Sequence, residues 1–336
     1  MVDIHAHVGG ERACLIYRDM ARAFGVSRVF SMGPLPQAAP TRDRLGDFVR
    51  FIAFPNFRAP DRLHAFTAGF LDDIRRFQGD FGARIVKLWN APRLRELIPP
   101  EFHAQVIEFD SPWRVRAAEL AQSLGMMMMV HVADPDTWFA TRYSDAGRFG
   151  LKREHYRGLE VMLDRFPMPW IAAHMGGYAE DLGFLSGLLD RHSNLYLDTS
   201  ATKWIVREIS RHPRDTARAF FLRYRTRLLF GSDIVTTDEH LTPPPPAAPG
   251  GARHPMADLA SSPDAAAELY ASRYFALRTL LETDYDGPSP IADPDLKMVD
   301  PSKFDDMSAP ALRGLALPRD VIEDLYANNA RRLLGA

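Results

Sequence analysis

The chain has 336 residues, 46% of them apolar, enough for one large core or two ordinary ones. Acidic and basic side chains nearly cancel, at a formal net charge of −2, which argues against a nucleic-acid footprint or an acidic solvating tail and leaves a small molecule as the economical partner. The single cysteine, Cys14, excludes a disulfide framework and a thiolate zinc site. No apolar run approaches the roughly 20 residues that span a bilayer, and a first strand starting almost at Met1 leaves no room for a signal peptide, so a cytoplasmic protein without membrane contact is expected.

The first strand carries Asp3-Ile4-His5-Ala6-His7, in which two imidazoles one residue apart share a face and can share one metal ion. Glu11 to Phe24 has helical apolar spacing closed by Gly25, and Val26 to Met32 reads as the second strand. Phe48 to Phe54 is the third apolar run, and Pro60 to Phe77 is helical, with Phe66, Phe70, Ile74 and Phe77 down one side. Ala83 to Trp89 is the fourth, with Lys87 near its end; Ser111-Pro112 then starts a helix as N-cap and first-turn proline, ended by Gly125.

Met126 to Val130, whose methionines read as core filling, is the fifth run and terminates in His131. Asp134 to Gly150 reads as a loop, and a helix from about Arg153 to Phe166 leads to the sixth run, Trp170 to His174, followed by Gly176-Gly177. Asp181 to Arg191 is helical, Asn194 to Thr199 is the seventh run, and two helical stretches split at Pro213 precede the eighth, Leu228 to Asp233. Eight short apolar runs separated by crossover-length segments are the pattern of a parallel sheet covered on both faces, here a single α/β domain closed as a (β/α)8 TIM barrel, with a doubly wound open sheet as the alternative. Beyond it, about 239–317 reads as a long irregular insertion, proline-rich and then glycine-rich from Pro243 to Gly251, helical from Ala265 to Leu281 and aperiodic from Thr283 to Leu317. Pro318 to Leu334 closes the chain as a helix.

In such a barrel the C-terminal strand ends converge on one mouth, where active sites of this fold sit. His5, His7, Lys87, His131, His174 and Asp233 all lie at or near those ends. Imidazoles and a carboxylate suit a divalent ion, Zn²⁺ first, with Mn²⁺ or Fe²⁺ as alternatives. Asp233 also reads as a helix cap, His131 and His174 as satisfied core residues, and Lys87 as a solvent-facing strand end. His64, His103, His155, His192, His212 and His254 fall in helices or loops and read as surface.

On these residues, together with Ala173-His174-Met175-Gly176-Gly177, Phe230-Gly231-Ser232-Asp233 and the closing Asn329 to Gly335, the chain resembles the amidohydrolase superfamily over nearly its whole length. The similarity is to the amidohydrolase-related branch (amidohydrolase 2), which includes aminocarboxymuconate semialdehyde decarboxylase-like enzymes. The resemblance implies a mononuclear site held by His5, His7, His131 and Asp233, with His174 polarising or deprotonating the bound water and Asp233 carrying the proton to the leaving group. In other branches the fourth strand supplies a carboxylated lysine bridging two metals and the sixth-strand histidine binds the second, so Lys87 and His174 leave one ion or two open. Lys87 can instead stay cationic and pair with a substrate carboxylate.

The leading expectation is a metal-dependent hydrolase opening an amide, lactone or related bond in a small, carboxylated molecule. Its rival is a metal-dependent decarboxylase or hydratase of an aromatic or unsaturated acid, and a third reading is a non-catalytic barrel with a vestigial site. Hydrolysis and decarboxylation share one constellation, and the fold does not separate them. Trp89, Trp138, Arg142, Arg148, Tyr178, Lys203 and Trp204 follow strand ends; Trp89 and Trp138 are candidates to wall a pocket for a planar or cyclic substrate, and Arg142 or Lys203 to fix its carboxylate. Self-association as a homo-oligomer is open, with 239–317 the candidate lid or dimer contact.

Overall fold

Strands covered on both faces cannot alternate apolar with polar, and Val2–His7 (β1), Arg28–Met32 (β2), Val49–Ala53 (β3), Ile85–Trp89 (β4), Met127–His131 (β5), Trp170–Ala172 (β6), Leu195–Asp198 (β7) and Leu228–Leu229 (β8) are accordingly buried almost throughout. The computed structural model describes residues 1–243 and 259–335. Each strand pairs in parallel with its neighbour in chain order, and Ile234–Val235 (β9) pairs in parallel with β1. The eighth run is therefore not one strand. It bends between β8 and β9, and across the bend Ile4 N donates to Phe230 O (2.9 Å) and Asp233 N to His5 O (2.7 Å), which closes the barrel between its last and first staves.

Two cores follow. Val2, Ile4, Phe30, Met32, Ile52, Ile85, Met127, Met129, Ile171 and Leu229 fill the barrel interior, plugged at the N-terminal end by Ala330 and Leu334. Their alternates along the strands, such as Val29, Val86, Leu88, Met128 and Val130, face the surrounding helices in the second core. The terminal helix runs through Arg319–Glu323, a π turn at Asp324–Asn328 and Asn329–Leu334. Buried Asn329 donates from Nδ2 to the carbonyls of Arg225 and Leu228, both at 2.7 Å, tying this helix to the start of β8.

The pattern is incomplete in several places. Leu35–Leu45 is a helix although it contains Pro36 and Pro40; the first lies in the opening turn, where no donor is needed, and buried Leu35, Ala38, Thr41 and Leu45 stabilise the rest. The helix expected over 60–77 is broken at Thr67 into Arg62–Phe66 and Ala68–Phe81. Ser111 stands at the expected N-cap of Pro112–Ser123, but its Oγ is buried without a partner. The loop expected at 134–150 contains the short helices Asp136–Phe139 and Ala146–Phe149. After Pro263–Glu282, an antiparallel hairpin of Asp286–Pro288 (β10) and Ala311–Arg313 (β11) and the helix Asp295–Val299 give form to a stretch without periodicity. Most of the Pro243 to Gly251 expectation lies outside the described residues, as does His254.

His155 and His192 are buried rather than superficial, whereas His64 is exposed and His103 and His212 bond backbone carbonyls. Burial, reinforced by Arg95, lowers the His155 pKa, and its Nε2 has no partner. A base with a depressed folded pKa contributes stability above its unfolded value of about 6.5 that is lost as pH falls through the folded one. The wild type is expected to lose stability as the pH is lowered from 7 toward 5, and His155→Phe to lose less. Urea midpoints across that range measure both, and parallel curves would rule out the titration of His155 as a contributor.

Candidate active site

Interior positions on β4 and β5 continue the barrel's own alternation: Ile85 leads to Lys87 and Trp89, and Met129 to His131. On β7, Asp198 follows by the same step from Tyr196. The remaining site residues need a change of phase. Val2 and Ile4 face inward, and a register irregularity between Asp3 and Ala6 shifts β1 by one position, so that His5 and His7 take the inward phase and Ala6 faces the helices. His174 lies one step out of phase with Ile171 and Ala173, and a left-handed φ of +59° re-aims it. Gly177 allows the following turn, since a Cβ there would stand 2.0 Å from Ala133 O. Asp233 is also left-handed, at φ +57°. His174, the adjacent Met175 and Asp233, all non-glycine residues in this sparsely populated region, mark strain held by the surrounding packing.

His5 Nε2 and His7 Nε2 stand 3.5 and 3.4 Å from Asp233 Oδ1, too far for hydrogen bonds. Ligands about 2.0–2.2 Å from a tetrahedral ion lie roughly 3.3–3.6 Å from one another, so these separations suit three donors of one divalent cation. His7 and Asp233 are 28% and 27% exposed, which leaves the open side of the trio to a substrate. Burial raises the Asp233 carboxyl, but the polar neighbours around it, His7 first and then His5 and His174, outweigh it and hold the group far below the usual carboxylate range.

Behind the trio is a relay that was not anticipated. His5 Nδ1 donates to Asp198 Oδ2 at 2.7 Å, Ser200 Oγ donates to Asp198 Oδ1, and His174 Nδ1 donates to Ser200 Oγ at 2.8 Å. This arrangement leaves Nε2 of both imidazoles free to act as an acceptor. Burial, then the charge of Lys87, lowers the His5 pKa; burial drives that of His174 well down. Burial would raise Asp198, but His5 outweighs it and holds the carboxyl well below its ordinary value. Neutral imidazoles backed by a carboxylate are what a metal ligand set requires. Asp198→Asn is expected to weaken metal binding by about 10–100-fold with the fold retained. A competitive chelator titration reads this, and unchanged affinity would remove Asp198 from the role. Asp198 ends its strand as His131 does, and scanning the seventh strand for a terminal acid would have found it.

His131 is anchored by Nε2 to Asp134 at 2.8 Å, and Asp134 in turn accepts from Tyr143. Its ring lies 4.7 Å from that of His174. Among the described residues, the groupings with ligand atoms within 4.8 Å of one another are His5, His7, Asp233 and His5, His174, Asp198; His131 is in neither. Lys87 is not solvent-facing: it is 2% exposed, its Nζ has no partner, and burial pulls its pKa down to about 8, partly offset by Asp198 and Asp233. Asp3, conspicuous in the opening motif, points the other way. It accepts from Ser232 Oγ (2.6 Å) and Tyr274 (2.8 Å), pinning the bend after β8 to β1, and burial raises its pKa to about 6.

Two cavities of about 410 and 790 Å³ meet at this cluster, and both are lined by His7, Trp89, Arg93, His131, Trp204 and Asp233. Lys87, His5 and His174 belong to the smaller; Trp138 and Lys203 belong to the larger. Arg142, Arg148 and Tyr178 line neither, and the two arginines pair with Glu96 at 3.4 and 3.6 Å. Lys203 is taken by Asp295 at 2.7 Å, which also accepts from Trp138 Nε1 and Trp204 Nε1.

A closed parallel barrel with imidazoles and an aspartate gathered at the C-terminal ends of its strands defines an α/β-barrel protein of the metal-site type. The amidohydrolase profile matches residues 2–336, and the chain belongs to that family. No protein with a curated description matches it. Among solved structures, an uncharacterised TIM-barrel protein from Bordetella bronchiseptica is similar at 13% identity, with 100% of this chain and 98% of that one covered and a TM-score of 0.50. A 5-carboxyvanillate decarboxylase from Sphingomonas paucimobilis aligns at 12% identity over 100% and 98% (TM-score 0.48), and a zinc-bound amidohydrolase from Burkholderia multivorans at 11% over 99% and 98% (TM-score 0.46). Only the first of these likenesses bears on the fold, and none bears on the reaction. No helix among the described residues is long and apolar enough to cross a membrane.

Proposed function

We propose that the protein is a divalent-metal-dependent hydrolase of a small carboxylated molecule, opening an amide, lactone or related bond. The observation that carries this reading is the spacing of His5, His7 and Asp233, which suits a shared ion and leaves one side open. Zinc fits this donor set, and a divalent ion held there supplies Lewis acidity and makes water more acidic near neutral pH. Asp233, kept ionised by its neighbours, takes the proton of the attacking water and returns it to the leaving group. Ser200 fixes the His174 ring with its Nε2 toward the site, and the tryptophans exclude bulk water.

Lys87 favours hydrolysis over loss of carbon dioxide. A decarboxylase or hydratase does not require this buried amine, which there would serve only as a cation paired with a substrate carboxylate. As a carbamate, Lys87 would offer two oxygens that, with His131 and His174, form a second donor set. Metal analysis after loading with zinc and bicarbonate is expected to give two ions per chain, falling to one in Lys87→Ala. The same preparation is expected to hydrolyse members of a lactone and amide panel. One ion in both proteins, with carbon dioxide released from aromatic or unsaturated acids, would establish the lyase instead.

A further inference from the structure

The larger cavity runs from His7, His131 and Asp233 past Trp89, Trp138 and Trp204 to a wall built by Pro263–Glu282 and the segment around Asp295. Four cations line it, and their partners separate them. Lys203 is paired with Asp295 and Lys297 with Asp306, each at 2.7 Å. Arg93 and Arg273 pair with no carboxylate of the described residues. The Arg93 guanidinium sits 5.3 Å over the Trp89 ring, beside the reacting corner. The acid it feels, Asp134, is committed to His131 and Tyr143. Arg273, on the distal wall, has one weak bond, 3.5 Å to Ser272 Oγ, and the acid it feels, Asp293, is bonded to Arg207.

Setting a guanidinium in a half-buried wall without a counter-ion is costly. Burial lowers the Arg273 pKa to about 10, against the single opposing influence of Asp293. Every acid lining the cavity is already engaged: Asp134 and Asp295 as above, Asp306 by Lys297, and Asp233 by the two histidines. The cleft is thus short of negative charge at two separate places, with Trp89, Trp138 and Trp204 lining the same cleft. A planar fork that binds carboxylate oxygens in pairs suits each place.

We propose that this cleft recognises a dianion, a small molecule with two carboxylate-type groups separated by an apolar or planar middle, Arg93 holding the group next to the reacting bond and Arg273 the distal one. The tryptophans take the middle by stacking. The proposal rests on reading the cleft as the substrate site, and it narrows the substrate class from a carboxylated molecule to one charged at both ends.

Binding of unreactive probes tests it without requiring turnover. Zinc-loaded protein is titrated calorimetrically with glutarate, adipate, isophthalate and terephthalate, and with the monomethyl ester of each. At least one diacid is expected to bind roughly tenfold or more tightly than its monoester, the effect of one charge-assisted contact. Arg273→Met is expected to erase that preference, with Arg273→Lys recovering part of it, and Arg93→Met to weaken diacid and monoester alike. Circular dichroism confirms that each variant is folded. Equal binding of every diacid and its monoester, or a preference that survives Arg273→Met, overturns the proposal. A preserved preference in wild type with no hydrolysis of any lactone or amide would overturn the hydrolase reading and leave the dianion site standing.

Discussion

Asp233→Asn is expected to lower turnover by about 10²–10⁴-fold while leaving the fold intact. The substitution keeps the shape and the left-handed backbone, which asparagine tolerates better than most residues, so φ +57° at this position adds no strain. It removes the negative charge that His5, His7 and His174 together stabilise, and with it a carboxylate at the open side of the trio that can accept a proton. A neutral amide is also a poorer ligand, so metal content is expected to fall less steeply than rate. Steady-state rates with whichever lactone or amide is hydrolysed, set beside metal content in the same preparation, separate the two effects. A variant turning over at near wild-type rate would show that the proton travels by another route.

How much of this was legible beforehand depends on what kind of information each feature needs. Strands buried on both faces read as unbroken apolar runs, so β1 to β7 were accessible to inspection, and with them the polar residues at or near the ends of β1, β4, β5 and β6. The opening His-x-His pair was visible as a shared face, but its inward direction depends on the register irregularity in β1, which pairing with β2 decides and no local pattern records. His174 was placed correctly at a strand end, although strict alternation would send it outward; the left-handed turn that recovers it needs Gly177 against Ala133 O. Arg142 was chosen because it follows a strand end, yet Glu96 draws it to the outside. Arg93 and Arg273 carry no local signal at all, because what distinguishes them is the lack of a carboxylate partner among the described residues, and partners are counted only in three dimensions. The same holds for His155, superficial by its helix position and buried by tertiary packing.

The two imidazoles of the opening motif separate ligand chemistry from structural support. His7→Ala and His5→Ala are both expected to lose bound metal and activity, since each removes one of three donors. Their effects on the metal-free protein should differ. His7 is 28% exposed and meets Asp233 at a distance too long for a hydrogen bond, so its loss should cost no more than about 0.5–1 kcal/mol. His5 is 1% exposed and donates to Asp198, which is wholly buried; removing that donor from an ionised acceptor costs about 1.5–3 kcal/mol, with the vacated ring volume adding to it. Urea unfolding in excess chelator is therefore expected to show a clearly lower midpoint for His5→Ala and a nearly unchanged one for His7→Ala, although neither retains zinc. Equal midpoints would mean that the bond to Asp198 contributes nothing without the ion, and that the relay through Ser200 is organised by the metal rather than prepared for it.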